Sequence, residues 1–245
     1  SSTGGTEKVS GLVTGVLDGN IVTVDLTDSG LDFHGVSMAK GDVAVISVPS
    51  YAGRVPAVAV ERLGMVRGNG ARAVLVCVYG GRAFEDTLIE LEDVAKRAGF
   101  RVVAAVSAIA EHSVARQFAA GRPDAQDVAQ LSEFAQRIRQ KLLDGAASEP
   151  SIPGNRPYKQ AGGHSMVPHA TEDCVSCGAC AALCPVRAID KDDPRQVDGE
   201  ACISCMRCVS VCSQNARKLD PNKLAAVTQM LSKACVERRE CEIFI

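Results

Sequence analysis

From position 1 to about 143 the hydrophobic pattern switches repeatedly between two periods. Apolar, β-branched runs at Ile21 to Leu26, Asp42 to Val48, Arg72 to Val78 and Arg101 to Ser107 are separated by stretches of helical spacing at Lys8 to Leu17, Val55 to Met65, Glu85 to Ala98 and Asp124 to Leu143. Two of the runs, Val43 to Val48 and Ala73 to Val78, are apolar at nearly every position, as strands covered on both faces should be. This alternation predicts an α/β domain with a parallel sheet. The last helix carries Val128, Leu131, Phe134, Ala135 and Ile138 on one stripe and should close the domain.

The periodicity lapses between Gly145 and Pro168, where Pro150, Pro153 and Pro157 fall among Gly, Ser and Asn. A repeat follows: Cys174, Cys177, Cys180 and Cys184 recur 28 positions on as Cys202, Cys205, Cys208 and Cys212, and Ala188 to Asp190 is echoed near Ala216 to Asp220. Beyond it Leu224, Val227, Met230, Leu231 and Cys235 form a helical stripe expected to pack back on the rest. The expected organisation is an α/β domain at 1–146, a linker at 147–168, a small α+β cysteine domain at 169–221 and a helical tail at 222–245.

Composition narrows the function. The 245 residues are 46% hydrophobic and 23% charged with a formal net charge of -2, so no basic surface for nucleic acid is expected. No apolar run approaches the roughly 18 residues of a membrane span. Eight of the eleven cysteines lie in two tight groups, which favours metal over disulfides and a reducing, cytoplasmic compartment. Cys77 reads as a small buried strand residue, and Cys235 and Cys241 as core or surface thiols of a helix. His34, His112, His164 and His169 show no metal spacing.

Both cysteine groups have the spacing C-x2-C-x2-C-x3-C. Three thiolates so spaced sit on one tight loop and serve one cubane, while the fourth, carried into the next turn, points to the other. Ligation is therefore expected to cross, with Cys174, Cys177, Cys180 and Cys212 on one [4Fe-4S] cluster and Cys202, Cys205, Cys208 and Cys184 on the second. The alternative is a pair of zinc sites, which fits poorly because zinc draws its four ligands from paired C-x2-C units. Residues 169–221 resemble bacterial two-cluster ferredoxins, with Ser213 in place of the proline usual after the last cysteine.

In the α/β half, Ser1, Ser2, Thr3, Gly4, Gly5 and Thr6 precede a helix and could wrap a phosphate with backbone amides, though a Ser or Thr before Glu7 is also an ordinary helix cap. Two more loops, around Pro49, Ser50, Tyr51, Ala52, Gly53 and Arg54 and around Tyr79, Gly80, Gly81 and Arg82, should follow neighbouring strands and share the crevice of a doubly wound sheet. These three loops are similar to those of flavodoxins, over residues 1–143. The resemblance implies that Ser1 to Thr6 hold the phosphate of FMN and that Pro49 to Gly53 and Tyr79 to Gly81 flank its ring. Arg54 and Arg82 could instead be solvated or ion-paired. The flavodoxin topology also places a strand before the phosphate loop, so a further strand of about 5 to 6 residues is expected ahead of Ser1, making the sequence a fragment.

The whole chain resembles the fused flavodoxin–ferredoxin proteins of anaerobic prokaryotes. That resemblance implies an electron-transfer flavoprotein working with redox partner proteins, either a carrier or an oxidoreductase. A flavin-dependent reductase of a small molecule, or a ferredoxin joined to a flavin-free docking domain, are the alternatives. No acid–base pair or nucleophile occurs at a motif spacing.

Overall fold

The computed structural model describes residues 1–17, 19–145, 148–163 and 166–245. Ala146, at the end of the expected α/β domain, and Ala147, His164 and Ser165 of the expected linker lie outside the described residues.

Strands β1 (Val43–Pro49), β2 (Arg72–Tyr79) and β3 (Arg101–Ile109) form a parallel sheet in that order. Helix α1 (Gly5–Thr14) precedes them, α2 (Ala57–Met65) and α3 (Thr87–Arg97) are the crossovers, and α4 (Ala125–Leu143) follows. The chain advances across the sheet in one direction, so both crossover helices fall on one face. Alternate residues of β2 show it: Ala73, Leu75 and Cys77 pack with Leu63 of α2 and Leu88, Leu91 and Val94 of α3. Val74, Val76 and Val78 pack with Val9 and Val13 of α1 and Leu131, Phe134 and Ile138 of α4. Burying each such Val or Leu side chain contributes about 1.5–3 kcal/mol. The continuous apolar run of β2 thus serves two cores.

Edges modify the pattern. β1 has a hydrogen-bonded neighbour on one side only, and just Ile46 and Val48 of it are fully buried. The expected strand Ile21 to Leu26 does not form: it makes no ladder, and Val22 is 79% exposed. β-branched composition cannot substitute for a partner backbone. Only Leu26 reaches the core.

Three further helices and three strands follow among the described residues. β4 (His169–Ala170) pairs antiparallel with β5 (Arg217–Lys218), enclosing the short helices α5 (Ala179–Ala182) and α6 (Arg207–Ser210). The tail is not helical to its end. Helix α7 (Pro221–Ala234), capped by the Asp220 side chain on the amides of Asn222 and Lys223, is followed by β6 (Glu242–Phe244), which joins β3 antiparallel. Leu231 of the predicted stripe is buried, whereas Met230 is exposed. Cys241 therefore lies beside the sheet and not on the helix of Cys235; it is buried, its Sγ 3.8 Å from Asp127 Oδ1.

The proline-rich segment is tied down along α3. Asp86 Oδ1 accepts the amide of Asn155 at 2.8 Å and its Oδ2 the amide of Lys159 at 2.7 Å. Arg156 bridges Glu92 and Asp93, and Tyr158 donates to Asp93. Gly154 sits so close to Ile89 that a Cβ would lie 2.4 Å from Cγ2, which explains a glycine there.

Candidate metal centre

The repeat in the cysteines is a repeat in the backbone. Left-handed residues recur at a spacing of 28: Ser176 (φ 52°) with Ser204 (φ 53°), Gly178 (φ 77°) with Met206 (φ 61°), and Arg187 (φ 54°) with Asn215 (φ 55°). Five of these six are not glycine, and such conformations persist only where the surroundings impose them. Left-handed residues within tight turns direct successive amides inward, a concavity suited to anions. The fourth cysteine of each copy is treated alike: Cys184 Sγ accepts the amide of Ala188, and Cys212 Sγ that of Ala216, each at 3.3 Å. Hydrogen bonds of this kind hold a thiolate in place and moderate its charge.

A cleft brings Cys184 from the first copy together with Cys202, Cys205 and Cys208 of the second, walled by Ile189, Val197, Ile203 and Met206. Burial here raises the Cys202 and Cys205 thiols and pushes Cys208 up to about 12, so a metal taken up by these thiols would release protons. The other four differ in setting. Cys177 is exposed beside Val175, itself 64% exposed, while Cys174, Cys180 and Cys212 are partly buried.

Among the described residues no three cysteine, histidine or acidic side chains converge as ligands of one metal ion would. A cubane asks for less convergence, since each iron takes a single thiolate and the sulfurs stand apart. The unpaired polar atoms also fit a bound cluster. Four buried side-chain polar atoms among the described residues lack a partner, and three of them belong to Ser204, Arg207 and Arg217 of the second copy. The inorganic sulfides of a cubane are acceptors that such donors want.

Sequence reasoning did not foresee how the two halves meet. Arg207 of α6 donates to the Ser1 carbonyl at 3.1 Å and to the Thr27 hydroxyl, and Ser210 Oγ to the Ser2 carbonyl at 3.4 Å. The Ser2 side chain interacts with both Tyr51 and Cys205. Burial, and next the Cys205 sulfur, push the Tyr51 phenol above its ordinary value. Arg62 of α2 reaches the Pro185 carbonyl at 2.6 Å, and Arg187 the Ser29 carbonyl. None of these partners has a sequence signal, because each arginine binds a backbone carbonyl that any residue could offer.

The three loops compared with flavodoxins do share the carboxyl edge of the sheet. The Ser50 amide donates to Val78 O, the Asp86 amide to Gly53 O, and the Ala110 amide to Tyr79 O, while a Cβ on Gly5 would lie 3.0 Å from Ala110. Helix α1 opens at Gly4 (φ 88°) with no side-chain cap, unlike α4, whose Asp124 and Asp127 form a reciprocal capping box. Ser1 Oγ accepts the Gly4 amide, which lies in the loop itself. A helix start without a side-chain cap suits a phosphate. The arginines are committed elsewhere: Arg54 holds Glu90 through two bonds of 2.7 Å and covers Tyr158, and Arg82 holds Glu85. Tyr79 packs edge-on against Phe84 with ring centroids 5.6 Å apart. His112 anchors its own loop, Nδ1 accepting the amides of Val114 and Ala115; burial, and then the Arg82 charge, lower its pKa.

Residues 148–229 match the family model of a 4Fe-4S dicluster domain, so this part of the chain is a ferredoxin-like iron–sulfur domain with an electron-transfer role. No curated protein and no solved structure matches the chain. The parallel sheet of the other half is compatible with a flavodoxin-like fold. No helix among the described residues is long and apolar enough to cross a membrane.

Proposed function

We propose that the chain is an electron-transfer iron–sulfur flavoprotein with two [4Fe-4S] clusters, ligated crosswise by Cys174, Cys177, Cys180 and Cys212 and by Cys202, Cys205, Cys208 and Cys184, and with FMN in the crevice of the sheet. The observation that carries the reading is the cleft in which Cys184 joins the three cysteines of the opposite copy. That combination is what crosswise ligation requires. When bound, the clusters supply one-electron couples and FMN a carrier of one or two electrons.

The chain's own residues divide the labour. Cys184 and Cys212 are steadied by the amides four residues on, and Ile189, Val197 and Ile203 keep water from the second site. Arg207, Ser210 and Ser2 hold that site against the start of α1 and Tyr51, whereas Cys177 and Val175 leave the first site open to a redox partner protein. The exposed site is the side from which a partner protein is met.

A second reading has an observation in its favour. The contacts of Ser1, Ser2 and Tyr51 with the cysteine half would suit a flavin-free docking platform for the ferredoxin. Anaerobic purification with iron, acid-labile sulfide and released flavin measured per chain separates the two. About eight irons, eight sulfides and one FMN support the coupled carrier. The same iron without flavin supports the docking platform, and zinc in place of iron sinks both.

A further inference from the structure

At one position buried in both copies, the cysteine repeat carries side chains of opposite character. Ile189 and Arg217 stand 28 residues apart at the same place in each copy, and both are buried, at 5% and 2% exposure. Ile189 walls the cleft of Cys184, Cys202, Cys205 and Cys208. Arg217 puts a guanidinium at the mate position. Its Nη2 donates to Cys180 Sγ at 3.4 Å and to the Pro194 carbonyl, and its Nη1 lies 3.5 Å from the Pro168 carbonyl. Nε is buried with no partner, and no carboxylate among the described residues pairs with the charge. A buried cation without a counter-ion is strongly disfavoured. Here the negative charge must come from the site itself.

We propose that Arg217 orders the two reduction potentials, holding the cubane of Cys174, Cys177, Cys180 and Cys212 above that of Cys202, Cys205, Cys208 and Cys184. The inference rests on the two-cluster reading above. Each cubane gains one electron from an external reductant, with no bond made or broken and no proton taken up, so its charge becomes more negative by one. A fixed positive charge on a ligand sulfur favours that reduced form, and an isoleucine at the mate position offers nothing comparable. Arg217 also acts on Cys202 and Cys208 through its charge, against the larger effect of burial, while its hydrogen bond goes to Cys180, so the second cubane should feel it in the same sense but less. Acting through Cys180, Arg217 is a positioning residue.

The test uses the loaded full chain as Arg217→Ile and Arg217→Lys, with iron and sulfide counted and both one-electron midpoints followed by paramagnetic resonance. Arg217→Ile should lower the higher midpoint by at least tenfold in the reduced-to-oxidised ratio, about 59 mV for a one-electron couple. The lower midpoint should fall less, so the gap narrows, and Arg217→Lys should keep both within threefold. Unchanged midpoints in a loaded Arg217→Ile protein, movement of the lower one alone, or a shift in Arg217→Lys as large as in Arg217→Ile overturns the proposal. If Arg217→Ile takes up less iron than the parent, the Lys variant decides: midpoints within threefold support the charge and a larger shift overturns it. A parent protein with zinc, or well short of about eight irons, defeats the two-cluster reading itself before any variant is made.

Discussion

Arg62, on the second helix of the α/β half, donates through Nη2 to the carbonyl of Pro185, the residue immediately after Cys184, at 2.6 Å. Its Nη1 bonds the Leu26 carbonyl at 2.7 Å, and the guanidinium lies 5.4 Å from the ring centroid of Phe33. One side chain thus ties a cluster ligand's neighbour to the first half. Arg62→Ala should cost about 2 kcal/mol, the usual worth of charged hydrogen bonds, and speed hydrogen exchange at residues 184–188. Unchanged exchange there would show that the halves are held by other contacts.

Asp86 fastens the proline-rich segment. It is 1% exposed and accepts the amides of Asn155 and Lys159, so Asp86→Asn sets an NH2 group against an amide and should cost about 2 kcal/mol. The expected sign of the pH dependence follows from its pKa. The Lys159 amide, opposed by burial and joined by Asn155, holds the carboxyl below its ordinary 3.8. Its stabilisation is therefore complete above that value and is lost as pH falls through the depressed folded value. Protection of the 155 and 159 amides relative to their intrinsic exchange rates should be high at pH 6 and fall below about pH 4 in the parent, while Asp86→Asn is weakly protected at both.

Gly53 carries a φ of 82°, and a Cβ there would stand 1.8 Å from Glu85 Oε2. Gly53→Ala must both strain the backbone and push Glu85 off Arg82, whose two bonds are 3.0 and 2.9 Å. A loss of about 2 kcal/mol is expected in urea unfolding, with iron content unchanged. If FMN occupies the crevice, its content should fall in the same variant.

Crosswise ligation makes a pairing prediction. Cys184→Ser should abolish the same paramagnetic signal as Cys205→Ser and leave the one that Cys177→Ser removes, with about half of the iron retained. If Cys184→Ser and Cys177→Ser affect one signal, each motif serves its own cluster.

Legibility in the sequence followed how local the physics is. The strands β1 and β2 read alike as unbroken apolar runs, yet only β2 is covered on both faces, whereas β1 at the edge of the sheet fully buries just Ile46 and Val48. The run Ile21 to Leu26 looked equally good, and it failed because a strand needs a neighbour's hydrogen-bonding edge, which composition does not report. β6 was missed for the complementary reason: Glu242 to Phe244 is too short for a period and is held by its ladder with β3. Arg217 had a signal that aligning the repeat would have shown, a charge in the slot of an isoleucine. Asp86 had none, since a single aspartate at a helix start is ordinary.

By itself the sequence determined that the chain has an α/β half and an iron–sulfur half, and it set out the eight cysteines, since periodicity and ligand spacing are properties of contiguous residues. The same spacing also raised the expectation that Cys184 sits with Cys202, Cys205 and Cys208. Only the tertiary structure decided that the proline-rich segment is fastened to α3 and that the start of α1 meets Cys205. Those outcomes depend on donors meeting backbone carbonyls, amides and sulfurs far away in the chain. Such acceptors are common to most residues, so the folded geometry alone selects which of them is used.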